Sequence, residues 1–400
     1  MKQSKLHILV FLICLLFSLH AGSPVVYAQV TPPPMPLPEG VIVPPGDELP
    51  LVTAKSAIVM EAATGRILYS RNMDERHYPA STTKIMTLII ALEQGNLDDI
   101  VTVSHRASGT EGSTIWLEPD EKIRFLDLLY GMMLVSGNDA TVAVAEHIAG
   151  SVPAFARLMT DKAHAIGAVN TSFVNSSGLP DEQHYTTAHD MAMIAAYGYK
   201  NSMFEHIVST KEKNIPWAGH PTDRELRNEN QMLWLYDGGN GVKTGYTDAA
   251  GRCLVAAAKR NGVQLITVVL DSVYMWNDSI AMLNYGFERV HPVQLIEKGQ
   301  VLKTVQVLSG KQKQLQLKTA EAVSVPVTDP EEMGKFKQVI SAPERISAGI
   351  REGDIIGRLS VQYEGREVAS VNLVAAETIE KKSFFALLYK TACSIFHYLV

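Results

Sequence analysis

The stretch Tyr78-Pro79-Ala80-Ser81-Thr82-Thr83-Lys84 decides the interpretation of this chain of 400 residues. It leads into an almost wholly apolar segment, residues 85–92, which Gly95 ends. A helix that is apolar on every side is a buried one. The stretch therefore predicts a helix in the middle of a large core, beginning near residues 79–81, with a serine and a lysine at its amino end.

Ser81 and Lys84 are three residues apart, so a helical backbone places both on one face. A serine hydroxyl becomes a good nucleophile when a base takes its proton. A lysine amine can be that base where burial and nearby positive charge lower its pKa, and the helix amino end adds partial positive charge. The alternative is a plain helix start with a solvated lysine. The apolar helix after Lys84 favours the catalytic interpretation, and no other Ser-x-x-Lys occurs in the chain.

A second short motif, Ser136-Gly137-Asn138, lies between apolar segments at 125–134 and 139–148 that predict helices. Its hydroxyl could relay a proton between a lysine and a leaving group, and its amide could bind a substrate backbone. The same Ser-x-Asn pattern occurs at residues 70–72 and 370–372. Only the position between two apolar helices favours the motif at Ser136.

A third motif, Lys243-Thr244-Gly245, follows a glycine-rich turn at residues 238–241 and predicts a strand. A cation and a hydroxyl at a strand edge suit a carboxylate, and a glycine lets a substrate backbone approach closely. In a regular strand Lys243 and Gly245 point to one side and Thr244 to the other. Alone, the tripeptide is most often part of an exposed strand.

Composition excludes several classes of protein. Hydrophobic residues make up 46% of the chain and charged residues 20%, which excludes a disordered chain and a collagen-like fibre. Three cysteines are too few for a disulfide framework. The net charge of −6, without any basic run, disfavours a nucleic-acid partner.

The amino-terminal segments predict export. Residues 1–28 combine Lys2 and Lys5, an apolar run at 8–19 and small residues ending at Ala28, which is typical of a signal peptide. A retained membrane anchor is the alternative, although the run is shorter than the ~20 residues that a spanning helix needs. The proline-rich residues 29–50 predict an extended linker.

The rest of the chain predicts two domains and a tail. Residues 51–290 contain the three motifs, a hairpin around Thr64-Gly65, strands at 253–258 and 263–270 around Asn261-Gly262, and a closing helix at 278–290. Residues 291–377 predict a small all-β domain. Its predicted strands are 301–308, 312–317, 322–327, 335–340, 356–363 and 368–374.

Residues 378–400 predict an amphipathic tail. Between 384 and 399 the apolar side chains fall on one helical stripe, and Lys381 and Lys382 precede it. Such a helix lies at a membrane surface, where lysines meet anionic headgroups. One alternative is a helix packed on the β domain. Another is a short spanning segment, which Lys390 disfavours because it would lie midway.

The three motifs, in this order, resemble the low-molecular-mass penicillin-binding proteins, the serine-type D-alanyl-D-alanine carboxypeptidases. The resemblance covers about residues 50–400 and includes segments 78–84, 177–180, 184–188 and 241–247. It implies an α/β (α+β) fold: a serine β-lactamase/transpeptidase-like domain with an antiparallel sheet flanked by helices, then a small all-β domain. It also implies an enzyme at the outer face of the cytoplasmic membrane.

The resemblance implies a role for each reacting side chain. Ser81 attacks the bond between the last two D-alanines of a peptidoglycan stem peptide and becomes an acyl-enzyme, with Lys84 as proton acceptor. Ser136 passes the proton to the departing D-alanine, and Asn138 holds the substrate amide. β-Lactams would acylate Ser81 and stay, and neither a cofactor nor a metal is expected.

The resemblance also implies how the substrate carboxylate and carbonyl are held. Lys243 and Thr244, beside Gly245, bind the terminal carboxylate, and the backbone N–H groups of Ser81 and Tyr246 form the oxyanion hole. Some relatives add an arginine further along the chain, but the corresponding residues 270–273 contain none. Arg227 and Arg252 are near in sequence, without an assigned role.

Two other functions are compatible with the motifs. A β-lactamase needs a second base, such as the glutamate of a Glu-x-x-Leu-Asn segment, and none lies between Asn138 and Lys243. A non-catalytic scaffold for wall peptides is disfavoured by the intact motifs. His184 and His189 fit a loop and a helix start better than a metal site, and Cys253 fits a core thiol.

Overall fold

A computed structural model describes residues 49–382 of the chain. The predicted signal peptide, nearly all of the linker and most of the tail lie outside these residues. The helices are α1 (Lys84–Gln94), α2 (His105–Ser108), α3 (Phe125–Leu134), α4 (Asn138–Ala149), α5 (Val152–Ala165), α6 (Ala188–Gly198), α7 (Ser202–Ser209), α8 (Met232–Leu235) and α9 (Met275–Arg289).

Strands form both the sheet of the first domain and most of the second domain. They are β1 (Ser56–Glu61), β2 (Ile67–Arg71), β3 (Ile100–Thr102), β4 (Lys122–Arg124), β5 (Glu212–Ile215), β6 (Arg224–Arg227), β7 (Gly239–Thr247), β8 (Gly251–Arg260), β9 (Val263–Leu270), β10 (His291–Ile296), β11 (Val301–Leu308), β12 (Gln314–Thr319), β13 (Val323–Val327), β14 (Phe336–Ser341), β15 (Arg345–Ser347), β16 (Ile355–Tyr363) and β17 (Arg366–Ala375).

The first domain is built on a five-stranded antiparallel sheet of order β2-β1-β9-β8-β7. Strand β9 is buried along its whole length, because helices cover the sheet on both faces. Asn261 and Gly262, both at positive φ, form the tight turn between β8 and β9. The predicted hairpin at this dipeptide is confirmed.

Helix α1 lies at the centre of the larger core, and its residues from Lys84 to Ala91 are all buried. It packs against α3, α4, α5 and α6, so it has no solvent-facing side. The predicted buried helix is confirmed. A 3₁₀ turn, Ala80–Thr83, precedes it and carries Ser81.

Helix α6 is capped by Thr187, whose side chain accepts a hydrogen bond from the Asp190 backbone N–H. The Asp190 carboxylate does not complete a capping box: it accepts from Asn170 N–H and the Thr171 hydroxyl. The aspartate thereby ties the preceding loop to the helix.

The second domain has its own apolar core and a six-stranded sheet of order β14-β16-β17-β12-β11-β15. The all-β prediction is confirmed, although β10 and β15 were not anticipated. The pairing continues past residue 377, because Ile379 bridges to Ile350 and Lys381 to Gly310. Within residues 49–382, no helix is long and apolar enough to cross a membrane.

Candidate active site

Ser81 lies in the 3₁₀ turn at the amino end of α1, and its neighbours hold the turn rigidly. The Thr82 hydroxyl donates to Pro79 O at 2.6 Å. Behind the turn, Gly178 lies so close that a Cβ there would be 1.8 Å from Ala80 O. The segment after Asn175 therefore supports the backbone of the serine, and only glycine fits at that contact.

Lys84 is completely buried and points back at the serine. Its Nζ lies 2.8 Å from Ser81 Oγ, 2.7 Å from Asn138 Oδ1 and 2.9 Å from Ser177 O. Asn138 Oδ1 and Ser177 O, which come from separate parts of the chain, can accept the two N–H protons of a neutral amine. The lone pair of the nitrogen then faces the Ser81 hydroxyl.

The pKa of Lys84 lies well below its usual value, firstly because burial disfavours the charged form and secondly because the Lys243 ammonium repels it. Glu229 and Asp139 oppose this and raise the pKa. The net effect favours a neutral amine. A neutral amine beside a serine hydroxyl can accept its proton.

Ser136 and Asn138 lie in the turn between α3 and α4. Ser136 is in the left-handed backbone region, with φ of 64°, which costs on the order of 1–3 kcal/mol for such a residue. Its side chain lines the same cleft as Ser81. Asn138 starts α4, and its side chain accepts from Lys84 and donates to Glu111 O at 2.8 Å.

Strand β7 brings the third motif alongside the serine. A Cβ at Gly245 would lie 2.9 Å from Ser81 N and 3.0 Å from Ala80 Cβ, so glycine is needed for this close packing. The packing places the Ser81 N–H next to the part of the strand that continues into Tyr246. The Tyr246 side chain itself is exposed and donates to Asp248.

Lys243 and Thr244 do not separate cleanly onto opposite sides of the strand as regular alternation predicts. Lys243 is 1% exposed, yet its Nζ reaches within 3.4 Å of Thr244 Oγ1, and Thr244 lines the cleft. Burial lowers the pKa of Lys243, and Glu229 opposes the shift. The hydroxyl and the ammonium group can thus meet one ligand.

Glu229 and Arg252 belong to the same cleft, of about 420 Å³, and sequence reasoning missed both as site residues. Glu229 Oε2 lies 3.9 Å from Lys243 Nζ and 3.5 Å from Thr244 Oγ1. Arg252 is exposed and lies on β8 opposite Tyr246. Arg227 instead lies on β6, where its closest ion pair is with Glu212.

The two histidines have separate structural partners. His184 is buried: its Nδ1 accepts from Val174 N–H, so its Nε2 carries the proton and donates to Thr83 Oγ1 at 2.9 Å. Burial lowers the pKa of His184 to about 4. His189 pairs with Asp74, and residues 49–382 contain no cluster of three His, Cys, Asp or Glu side chains suited to a metal.

Comparison with known proteins covers both domains. The model of the D-alanyl-D-alanine carboxypeptidase family matches residues 45–273, and that of the penicillin-binding protein 5 C-terminal domain matches residues 291–381. The chain is 37% identical over 348 residues to D-alanyl-D-alanine carboxypeptidase DacF of Bacillus subtilis, covering 84% of this chain and 89% of the relative. DacC of Escherichia coli is 31% identical, covering 88% of this chain and 90% of that relative.

Solved structures agree with this assignment. Penicillin-binding protein 5 from Haemophilus influenzae is 30% identical with a TM-score of 0.59, covering 84% of this chain and 100% of that chain. DacD from Francisella tularensis is 29% identical with a TM-score of 0.58, covering 86% and 97%. The expected fold class is confirmed, and the chain belongs to the D-alanyl-D-alanine carboxypeptidase family.

Proposed function

We propose that the chain removes the terminal D-alanine from peptidoglycan stem peptides through an acyl-enzyme on Ser81. The observation that carries the proposal is the 2.8 Å contact between Ser81 Oγ and a buried Lys84 whose pKa is lowered. The neutral amine takes the serine proton while Oγ attacks the carbonyl carbon of the last peptide bond. That bond breaks, and the departing D-alanine leaves as its amine.

Ser136 is proposed to carry the proton from Lys84 to the leaving amine. It lines the cleft with Ser81, and a hydroxyl can accept one proton while donating another. Water then attacks the ester carbonyl, with Lys84 again accepting a proton, and the shortened peptide leaves. The scheme uses no cofactor and no metal.

The substrate backbone is proposed to be held from two sides. The Asn138 amide has two N–H donors, of which one is given to Glu111 O, so the other remains for a substrate carbonyl. The backbone N–H groups of Ser81 and Tyr246 are proposed to bind the oxyanion that forms during attack.

The terminal carboxylate is proposed to bind Lys243 and Thr244, with Arg252 as an additional cation. Arg252 lines the cleft beside Thr244 and Tyr246 and is exposed to solvent. It would thus supply the positive charge that residues 270–273 lack. β-Lactams, which carry a comparable carboxylate, are proposed to acylate Ser81 in the same cleft.

The enzyme is proposed to act at the outer face of the cytoplasmic membrane, because its substrate belongs to the cell wall. Residues 1–28 would direct export, and the tail would hold the enzyme at the membrane surface. Because Lys381 pairs within the β domain, a deletion of residues 383–400 leaves that pairing intact. The deletion is expected to move the enzyme to the soluble fraction with its activity unchanged; continued membrane association would contradict an anchoring tail.

D-alanine release from a defined pentapeptide tests the function. The full-length chain should release one D-alanine per peptide, and penicillin should stop release by occupying Ser81. Ser81→Ala should abolish release, whereas Ser113→Ala, at another serine in the cleft, should retain it. Release by Ser81→Ala at the rate of the unmodified chain would refute the proposal.

A further inference from the structure

A second cleft, of about 480 Å³, adjoins the Ser81 cleft and has no role in the proposed reaction. The two clefts share a wall, because Ser113 lines the first and Thr114 the second. The polar and aromatic side chains that line the second cleft include Ser108, Thr110, Thr114, Trp116, Glu118 and Trp217.

Trp116 is held in a conformation that large side chains avoid. Its φ is 61°, in the left-handed region, and 65% of the residue is exposed to solvent. Packing cannot explain a strained backbone under a solvent-facing indole ring. Strain of this kind is concentrated at binding and catalytic sites.

The backbone on both sides of Trp116 is clamped to buried groups. The Asp139 carboxylate accepts from the N–H groups of Ile115 and Leu117 at 3.0–3.1 Å. The Arg224 side chain donates to Ile115 O at 2.6 Å and to Trp116 O at 3.0 Å. The exposed ring is therefore presented by a rigid, preformed loop.

Trp217 also lines the cleft, and two side chains hold its ring in place. The Arg224 guanidinium lies 4.7 Å from its ring, and the His220 ring stacks on it at 4.0 Å between centroids. Its indole N–H is buried and has no acceptor within residues 49–382. The fixed ring thereby forms part of the wall of the cleft.

The lining favours a neutral ligand. It contains no lysine or arginine, and its acidic groups are Glu118 and Asp139, so an anion would meet repulsion. Asp139 is already occupied by backbone N–H groups. The hydroxyls of Ser108, Thr110 and Thr114 add polar partners beside the two indole rings. A pyranose ring, with an apolar face and hydroxyl edges, matches this combination.

We infer that this cleft binds a neutral amino-sugar ring of the glycan strand to which the stem peptide is attached. The inference rests on the proposed function, since it assigns the part of the same substrate that lies beyond the peptide. Four extended residues span about 14 Å, so the stem peptide is long enough for its sugar to reach the cleft that adjoins the Ser81 cleft.

Paired kinetics test the inference in the full-length chain. One substrate is a free pentapeptide, and the other is the same pentapeptide attached to its disaccharide. Asparagine tolerates the left-handed backbone. Trp116→Asn should therefore lower kcat/KM for the disaccharide-linked peptide, relative to kcat/KM for the free peptide, about tenfold, equivalent to about 1.4 kcal/mol. Trp116→Phe should restore much of the ratio. Trp234→Ala, at an exposed tryptophan on α8, should leave it unchanged.

A peptide-free probe provides the second readout. Titration with an N-acetylglucosamine trisaccharide should give a saturable change of tryptophan fluorescence that Trp116→Asn removes and Trp234→Ala retains. An equal loss on both substrates would identify a peptide subsite and overturn the inference, as would the absence of saturable binding. Failure of the proposed function looks different: neither substrate would release D-alanine and penicillin would not label Ser81.

Discussion

Lys84 Nζ lies 2.8 Å from Ser81 Oγ inside the protein, and Asn138 Oδ1 lies 2.7 Å from the same nitrogen. The asparagine comes from a different motif, 54 residues along the chain. Burial and the Lys243 charge lower the pKa of the lysine. The geometry thus joins the proposed nucleophile, the proposed base and the amide that orients it in one hydrogen-bonded chain.

The pH dependence of acylation should follow Lys84. Because only the neutral amine accepts a proton, the rate of β-lactam acylation should rise with pH through a pKa well below 10.5. Lys84→Gln should lower the rate about 10²–10⁴-fold and abolish that limb of the profile. The control, Lys122→Gln, changes an exposed lysine of β4. An unchanged profile in Lys84→Gln would exclude the lysine as base.

Glu229→Gln should shift this rise of the acylation rate to lower pH. The Glu229 carboxylate raises the pKa of both Lys84 and Lys243, so its removal lowers both values and makes Lys84 neutral at a lower pH. The change also removes a negative charge 3.9 Å from Lys243 Nζ, so KM for a carboxylate substrate should fall a few-fold. The measurement is kcat and KM against pH, with the exposed Glu225→Gln as control. A limb that moves to higher pH would contradict the account.

Arg252→Gln should raise KM for the peptide acid about tenfold, equivalent to about 1.4 kcal/mol, because a cation for the terminal carboxylate is lost. With a peptide that ends in a carboxamide the same variant should have little effect. Arg227→Gln, on β6, is the matched control. If Arg252→Gln raises KM equally for the peptide that ends in a carboxylate and for the one that ends in a carboxamide, the arginine does not recognise the carboxylate.

His184 should make the protein sensitive to acid. Its pKa is about 4 in the folded chain and about 6.5 when unfolded, so the unfolded state binds the proton more readily. Stability is therefore complete above pH 6.5 and is lost progressively as pH falls toward 4, by about 3 kcal/mol.

His184→Gln retains an N–H donor that can reach Thr83 Oγ1 but cannot titrate. We expect its unfolding free energy, measured by denaturant titration, to depend less on pH between 6.5 and 4 than that of the unmodified chain. An identical pH dependence in both proteins would show that the acid sensitivity lies elsewhere.

Local sequence patterns were sufficient to predict the elements that have a continuous apolar run or a strong turn signal. The apolar run after Lys84 predicts α1 because no polar face remains, and Asn261-Gly262 predicts the β8–β9 hairpin because both residues tolerate positive φ. The β domain was predicted from short strand-like segments separated by turns. The strand pairing of residues beyond 377 depends on contacts with Gly310 and Ile350. Sequence spacing does not encode such contacts.

The site was predictable only where a motif is short and local. Ser81 and Lys84 are one helical turn apart, so their contact follows from the sequence. Glu229 and Arg252 reach the cleft through tertiary packing, and neither belongs to a motif. The contact of Lys243 with Thr244 also differs from simple strand alternation, because Lys243 Nζ lies 3.4 Å from Thr244 Oγ1.

Mass spectrometry of the full-length chain after reaction with penicillin shows whether Ser81 is the nucleophile. We expect one penicilloyl group per chain, located on the peptide that contains Ser81, and no adduct on Ser81→Ala. We also expect that pretreatment with penicillin abolishes D-alanine release in proportion to labelling. An adduct on another residue, or full release of D-alanine from a fully labelled enzyme, would contradict the account.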